Sequence, residues 1–494
     1  MFQVTFISLY CDDYHSILYS CKLDLGMQIK FLGATETVTG SKHIIKTDKG
    51  YNVLLDCGLY QGMGKETDSL NRYFDFNPSE IDVVILSHAH IDHSGNLPLL
   101  INKGFLGSIY CTPPTLVVVE VLLYDSAKIH ESDIEYVNKK RELRGEELLK
   151  PLYTSKDVDR CLKHFKTVPY HAEFTLNEEV SFLFTDAGHI LGSAIVNLKL
   201  KDKEHKITQL SYTGDIGKYD DMLLKDPEIF PQADYIICES TYGDRLHEVE
   251  KDAELHLLNV VRNTCVEKKG KLIIPAFSLG RTQEIVFILD KLKNLGLLPN
   301  IKVYVDSPMS SNVTDIMREH VDCFNAKLQT YIKTDADPFG FNNLIYIREK
   351  ADSINLNSNK EPCIIISASG MMDAGRIKHH LRNNISDQKN TILVVGYCSQ
   401  NSLGGRIREG QKVVKIFGEE YDVNADVEII DSYSAHADYN ELIRFLSCQD
   451  KQKVKKVFLV HGDPPAKISF RDKLLLEGFN NIIIPSKNEI FIID

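Results

Sequence analysis

Three histidines and one aspartate fall within six positions in His88-Ala89-His90-Ile91-Asp92-His93, directly after the apolar run Asp82 to Leu86. Crowding imidazoles and carboxylates in this way is costly unless something shares them, and a divalent cation does so well. A loop leaving a strand can point alternate side chains at two adjoining points. His88 and His90 can then serve one ion, and Asp92 and His93 another. This donor mixture suits zinc, with manganese or iron as alternatives. The competing readings are a surface histidine cluster or a helix cap made by Asp92. Four residues do not complete two sites, so further donors are expected at later strand ends. His189 follows the strand ending at Thr185, and Asp215 stands in Thr213-Gly214-Asp215 after a later strand. Either alone would read as a loop residue; their order after the histidine cluster joins them to it.

The elements that must carry these groups can be read along the chain. It has 494 residues, 43% hydrophobic and 26% charged, enough for about three domains and for a core that needs no staples. A net charge of −12 argues against a basic nucleic-acid coat but not against a locally positive cleft. No apolar run approaches the ~18 residues of a membrane span. Eleven cysteines without a C-x-x-C pair read as free thiols of a reducing cytosol. Residues 1–26 carry Asp12 and Asp13 where a signal peptide would be basic. Two readings of that stretch stay open: the domain and its translation start at Met27, or an N-terminal arm precedes it.

From Met27 a meander of short strands is expected over Ile29–Leu32, His43–Lys46 and Val53–Asp56. Thr112 and Pro113 open a helix to about His130, followed by solvated helix and loop over Glu131–Lys150. Strands resume at Val180–Thr185, Ala194–Leu200 and Ile207–Thr213. After Gly243 helices alternate with the strands Leu272–Ile274, Val303–Val305, Ile364–Ile366 and Ile392–Val395, which predicts a parallel sheet. Ser353–Glu361 reads as a polar loop and Ser402–Arg406 as a glycine-rich one. Further strands are expected at Val427–Ile430, Val457–Val460 and Ile482–Ile484.

His88-x-His90-x-Asp92-His93, with Asp56, His189 and Asp215 in this order, resembles the metallo-β-lactamase fold, a four-layer αββα sandwich with metals at one end. Glu239 in Cys238-Glu239-Ser240-Thr241-Tyr242-Gly243, His436 in Ser434-Ala435-His436-Ala437-Asp438-Tyr439 and His461 in Leu459-Val460-His461-Gly462-Asp463 narrow the match. They resemble motifs A, B and C of the β-CASP nucleases, which include the endonuclease of pre-mRNA cleavage and polyadenylation. Pro275 to Glu284 and Ser367-Ala368-Ser369-Gly370-Met371 are similar to segments of that family's inserted domain. The resemblance spans Met27 to Asp494 and implies an α/β chain: a sandwich over 27–243, an inserted β-CASP domain over 244–425 and a return segment over 426–494. It implies that His88, His90 and His189 hold one ion, Asp92, His93 and His461 the other, with Asp215 between them and Asp56 orienting a ligand histidine. Two Zn²⁺, or Mn²⁺, about 3.5–4 Å apart would clamp a phosphodiester and supply hydroxide at neutral pH. His436, oriented by Glu239, would be the general acid; with the ligand Asp92 they form the expected catalytic set.

The implied activity is cytoplasmic hydrolysis of RNA, single-stranded, in processing or decay. Motif C carries the RNA reading, because DNA-repair members have an aliphatic residue where His461 stands. A DNA nuclease is the nearest alternative; a small-ester or thioester hydrolase and an inactive scaffold stand further off. Endonuclease or exonuclease mode, RNA target and oligomeric state, homo-oligomers included, are left open. Arg281, following Gly280, is either a phosphate grip or an exposed helix-start arginine. Ser369 and Gly370, ahead of a helix expected near Ala374, either offer N–H groups to phosphate or form a structural turn. Gly404-Gly405-Arg406 is either a substrate-facing loop or a surface turn. The pattern departs from the family over Gly396–Gln400.

Overall fold

The structure, a computed structural model, describes residues 26–247, 253–396, 398, 402–430 and 435–494. The expectation for the N-terminal arm lies outside the described residues.

Strand Met27–Phe31 shows why the first sheet forms where it does. Met27, Ile29 and Phe31 are buried and Gln28 and Lys30 half-buried, the period-two pattern of a strand with one face in a core. It pairs antiparallel with His43–Lys46, which pairs antiparallel with Asn52–Leu55, giving the expected meander. Val83–Ile85, Ser108–Cys111 and Phe165–Thr167 then add in parallel, and Ile490–Ile493 closes the other edge to complete seven strands. A second seven-stranded sheet runs in the order Ile482–Ile483, Lys456–Val460, Tyr235–Glu239, Ile207–Tyr212, Ala194–Lys201, Val180–Asp186 and Phe174–Thr175. Phe31, Leu55, Ile85, Phe184, Val196, Tyr212 and Phe458 fill the space between the sheets. The helices Tyr439–Leu446 and Pro464–Leu476 cover the outer face of the second sheet through Leu442, Phe445, Phe470 and Leu474. Leu97, Leu100, Val118 and Leu122 cover that of the first. The result is an αββα sandwich.

Between Glu239 and Asp438 the chain leaves the sandwich to build a six-stranded sheet in which every pairing is parallel, as expected from the alternation of strands and helices. Its helical layer shares one continuous apolar cluster with the outer layer of the first sheet, from Leu122 through Val286 to Val313. Strand Asp426–Ile429 pairs with Thr391–Val394, so by pairing it belongs to the inserted sheet rather than to the return segment.

Three local expectations change. The helix opened by Thr112, whose hydroxyl accepts from Thr115 N, runs through Glu142 rather than His130. No glycine or proline interrupts the sequence until Gly145, which adopts φ +65°. Ser353–Glu361 is mostly helix, Lys350–Ser358, because Ser353 and Leu356 turn inward at helical spacing. Ser402–Arg406 is also no open loop: Ser402 Oγ caps the helix Leu403–Arg408, and Gly404 and Gly405 are buried.

Candidate metal centre

The histidine cluster sits on a turn that the first sheet leaves no room to shift. After Val83–Ile85 the chain passes Ser87 and enters the one-turn helix Ile91–Ser94. Cys57 N donates to His93 O at 2.7 Å and Leu59 N to Ile91 O at 2.9 Å. Between them a Cβ on Gly58 would lie 1.5 Å from Asp92 O, so only glycine lets the two backbones approach.

Two donor groups face each other at this end of the sandwich. His88, His90, His189 and Asp215 form one, and Asp92, His93 and His461 the other, each with its ligating atoms within 4.8 Å of one another. In the first, His90 Nδ1 stands 3.2 Å from both His88 Nε2 and His189 Nε2. In the second, His461 Nε2 stands 3.1 Å from His93 Nε2 and 3.5 Å from Asp92 Oδ2. Asp215 lies between them: Oδ2 is 3.4 Å from His88 Nε2, and Oδ1 is 3.3 Å from His93 Nε2. Oδ1 is buried and has no hydrogen-bond partner among the described residues.

The surrounding hydrogen bonds decide which ring nitrogens face inward. Asp56, at φ +58° and fully buried, accepts from His93 Nδ1 at 2.6 Å, from Ser87 N and Oγ and from Tyr212 Oη, each at 2.7 Å. Ser87 Oγ gives its hydrogen to Asp56, so it accepts from His88 Nδ1 at 3.0 Å. His189 Nδ1 donates to Ala435 O at 3.1 Å. Thr241 Oγ1 gives its hydrogen to Glu239 Oε2 at 2.6 Å and accepts from His461 Nδ1 at 3.1 Å. Four histidines therefore engage a neighbour through Nδ1 and point Nε2 toward the centre. Ser87, Tyr212 and Thr241 were missed in the sequence, because a hydroxyl two or more bonds from the centre has no spacing signature.

Electrostatics agree with this reading. Burial pushes His88 and His189 below the usual imidazole range and His90 down to about 3, so all three are neutral donors. Burial would also lower His93, but the flanking carboxylates of Asp215 and Asp56 raise it well above its ordinary value. The histidines facing Asp215 outweigh the opposing effect of burial and hold its carboxyl far below the usual range. Two ionised aspartates around one ring call for positive charge at this point.

His436 and Glu239 lie against this centre. The His436 ring is 4.5 Å from that of His189, and its Nδ1 lies 3.2 and 3.3 Å from the two Glu239 oxygens. Glu239 ends the strand Tyr235–Glu239 with no exposed side-chain surface and also accepts from the backbone N–H of Ile216. Burial pulls the His436 imidazole down, but the Glu239 charge and hydrogen bond, with Asp215 and Asp92 beyond, raise it to about 9. The cap of the following helix is Asp438, not His436.

The expected substrate contacts fare differently. Arg281 is neither exposed nor an open phosphate grip: it is 7% exposed and ion-paired with Glu284. The helix expected near Ala374 begins at Ile377, so Gly370 does not lead directly into a helix N-terminus. Gly370 packs on Phe277, and Ser369 Oγ donates to Ala374 O at 3.3 Å. Arg406 lies in the last turn of its short helix, with Nε buried and without a hydrogen-bond partner among the described residues. Of the segment Gly396–Gln400, residues Tyr397, Ser399 and Gln400 lie outside the described residues.

Three family models match along the chain: a metallo-beta-lactamase superfamily domain over residues 44–234, a Beta-Casp domain over 282–407 and a Zn-dependent metallo-hydrolase RNA specificity domain over 420–485. Ribonuclease TTHA0252 of Thermus thermophilus is 33% identical over 92% of this chain and 97% of its own length. An RNase J-like protein of Methanocaldococcus jannaschii is 32% identical over 90% and 94%, and the transcription termination factor FttA of Methanosarcina mazei 32% over 90% and 68%. A crystal structure of a protein of unknown function from Enterococcus faecalis V583 shares the fold at a TM-score of 0.52 and 12% identity, over 94% of this chain and 100% of that one. With the ordered donor groups in a sandwich interrupted by a parallel sheet, these matches place the chain in one family: it belongs to the β-CASP metallo-hydrolases of the metallo-β-lactamase superfamily.

Proposed function

We propose that this chain hydrolyses RNA phosphodiester bonds at a centre of two Zn²⁺ ions, in RNA processing or decay. The observation that carries the reading is Asp215, buried between two sets of inward-turned donors with one oxygen unbonded. A tetrahedral ion about 2.0–2.1 Å from nitrogen or oxygen donors spaces them roughly 3.3 Å apart. The separations of 3.1–3.7 Å between neighbouring donors, those from Asp215 to both groups included, lie near that spacing. His88, His90 and His189 would hold one ion, Asp92, His93 and His461 the other, and Asp215 both. Bound there, the ions supply Lewis acidity, polarising a phosphoryl oxygen and acidifying water.

The chain's own residues do the rest. Asp56 keeps His93 in the ligating tautomer, and Ser87 and Thr241 do the same for His88 and His461. Cleavage joins a water oxygen to phosphorus and breaks the bond to the 3′ oxygen, which must take up a proton. His436, charged beside Glu239, supplies it.

The RNA reading is supported by the named ribonuclease relative and by the match to an RNA specificity domain across His461. The test is cleavage of end-labelled single-stranded RNA bearing a 5′-triphosphate or a 5′-monophosphate, beside DNA of the same sequence. RNA cleavage that is lost on chelation and restored by zinc is the expected result. Preferential cleavage of DNA, or none of either, would overturn the reading.

A further inference from the structure

We propose that His247 is a positioning residue that holds His436 in line for proton donation. The proposal rests on the reading of His436 as the proton donor. His247 stands with Asp438 and Glu441 in a cluster that superficially resembles a third cation site, their donor atoms within 4.8 Å. Each of those atoms is already engaged. Glu441 Oε1 and Oε2 accept from the backbone N–H groups of Tyr219 and Asp438, and Asp438 Oδ1 and Oδ2 from those of Glu441 and His247. The carboxylates form a capping box for the helix Tyr439–Leu446. His247 Nε2 donates to the backbone carbonyl of His436 at 2.7 Å, since a carbonyl can only accept.

That bond completes a grip on a single peptide plane. The carbonyl of the His436–Ala437 peptide is held by His247, and its N–H, on Ala437, donates to Ile216 O at 2.9 Å. Ile216 N in turn donates to Glu239, the carboxylate that holds the His436 ring. With both polar ends of the plane held, the Cα of His436 is held, and the Glu239 bond to its ring limits the rotation that remains. The ring can then meet Glu239 on one side without drifting from the scissile bond on the other. Tyr242 packs edge-on against both rings, 5.2 Å from His247 and 6.1 Å from His436. Among the described residues His247 has no hydrogen bond or ion pair with either donor group; it acts through His436. Misplacing a reacting group by about 1 Å can cost 10²-fold in rate, so His247 bears on turnover and not on metal or RNA affinity.

His247→Phe keeps a ring against Tyr242 but removes the donor, and His247→Gln restores an N–H of similar reach. Each is measured in the full chain loaded with zinc. The substrates are RNA and a p-nitrophenyl phosphodiester, whose leaving group departs as an anion without needing a proton. For His247→Phe, kcat on RNA should fall by up to about 10²-fold with KM, zinc content and melting temperature unchanged. Its kcat on the nitrophenyl ester should stay near that of the unsubstituted chain, and His247→Gln should recover most of the RNA activity. Wild-type turnover of RNA by His247→Phe, or an equal loss on both substrates, would overturn the proposal. His436→Ala run in parallel separates the two ideas. If it loses both substrates equally, the proton-donor reading fails. If it spares the nitrophenyl ester while His247→Phe does not, only the positioning role fails.

Discussion

His436 Nδ1 faces Glu239 Oε1 across 3.2 Å, and the proton on that ring sets the pH behaviour expected of the site. A histidine that gives up a proton in the reaction must start charged, so turnover falls as pH rises through its pKa. In the chain alone that value is raised to about 9 by Glu239, and cations held at the proposed centre would oppose the charged ring and bring it lower. Rate profiles should therefore show an alkaline limb below pH ~9. Glu239→Gln should move the limb to lower pH, and a limb that stays in place would exclude His436 as its origin. His436→Ala should retain two ions and bind RNA while kcat drops by roughly 10²–10⁴, the usual worth of a positioned general acid. Loss of an ion, or unchanged turnover, counts against the role. Asp215 makes a different prediction. Its two oxygens face different donor groups, so Asp215→Asn should release both ions on elemental analysis. Retention of two would refute the shared position.

At the scale of elements, the site is built from strand ends. Val83–Ile85, Val180–Asp186, Ile207–Tyr212, Tyr235–Glu239 and Lys456–Val460 all finish at the same edge of the sandwich and deliver His88, His189, Asp215, Glu239 and His461. Asp186, the last residue of its strand, accepts from Gly188 N at 2.9 Å and shapes the turn carrying His189. Burial, with Glu228 adding, raises its carboxyl from 3.8 to about 7. The folded chain thus binds that proton more tightly than the unfolded one. The contribution to stability is whole below pH ~4 and is lost as pH rises through 7. Denaturant unfolding of the metal-free chain should show this slope, and Asp186→Asn should flatten it. Identical slopes in the two chains would dismiss Asp186 as a titrating element.

For the molecule as a whole, two sheets, their helical layers and the inserted sheet share apolar clusters, so the chain should not depend on metal to fold. Chelation should lower the melting temperature without unfolding the chain at 25 °C, by linkage of about RT ln(1 + [L]/Kd) for each ion lost. A random-coil circular-dichroism spectrum after chelation would show the opposite. A chain beginning at Met27 should fold and cleave RNA normally, because Met27 already pairs with Ile493 at the start of the first sheet. Loss of solubility on truncation would mean that residues 1–26 pack on the domain.

The sequence by itself pointed to the histidine cluster, to His189 and Asp215 as candidates to join it, and to the strands that precede them. Histidine and aspartate clusters, turn glycines and apolar alternation are local patterns, written within a few residues of each feature. The parallel character of the inserted sheet was legible for the same reason, from the alternation of strands and helices. What only the tertiary structure decided are pairings across long separations. Thr241 meets His461 across 220 residues, Tyr212 meets Asp56 across 156, and His247 reaches the His436 carbonyl across 189. A hydroxyl or a lone histidine has many uses, and its type carries no record of its partner. Arg281 shows the converse: its place after a glycine suggested a free cation, yet packing against the next helical turn gave its charge to Glu284. Candidate donors follow from residue chemistry and short spacing, whereas tautomers, orientation and charge follow from neighbours that only the closed fold brings within 3 Å or so.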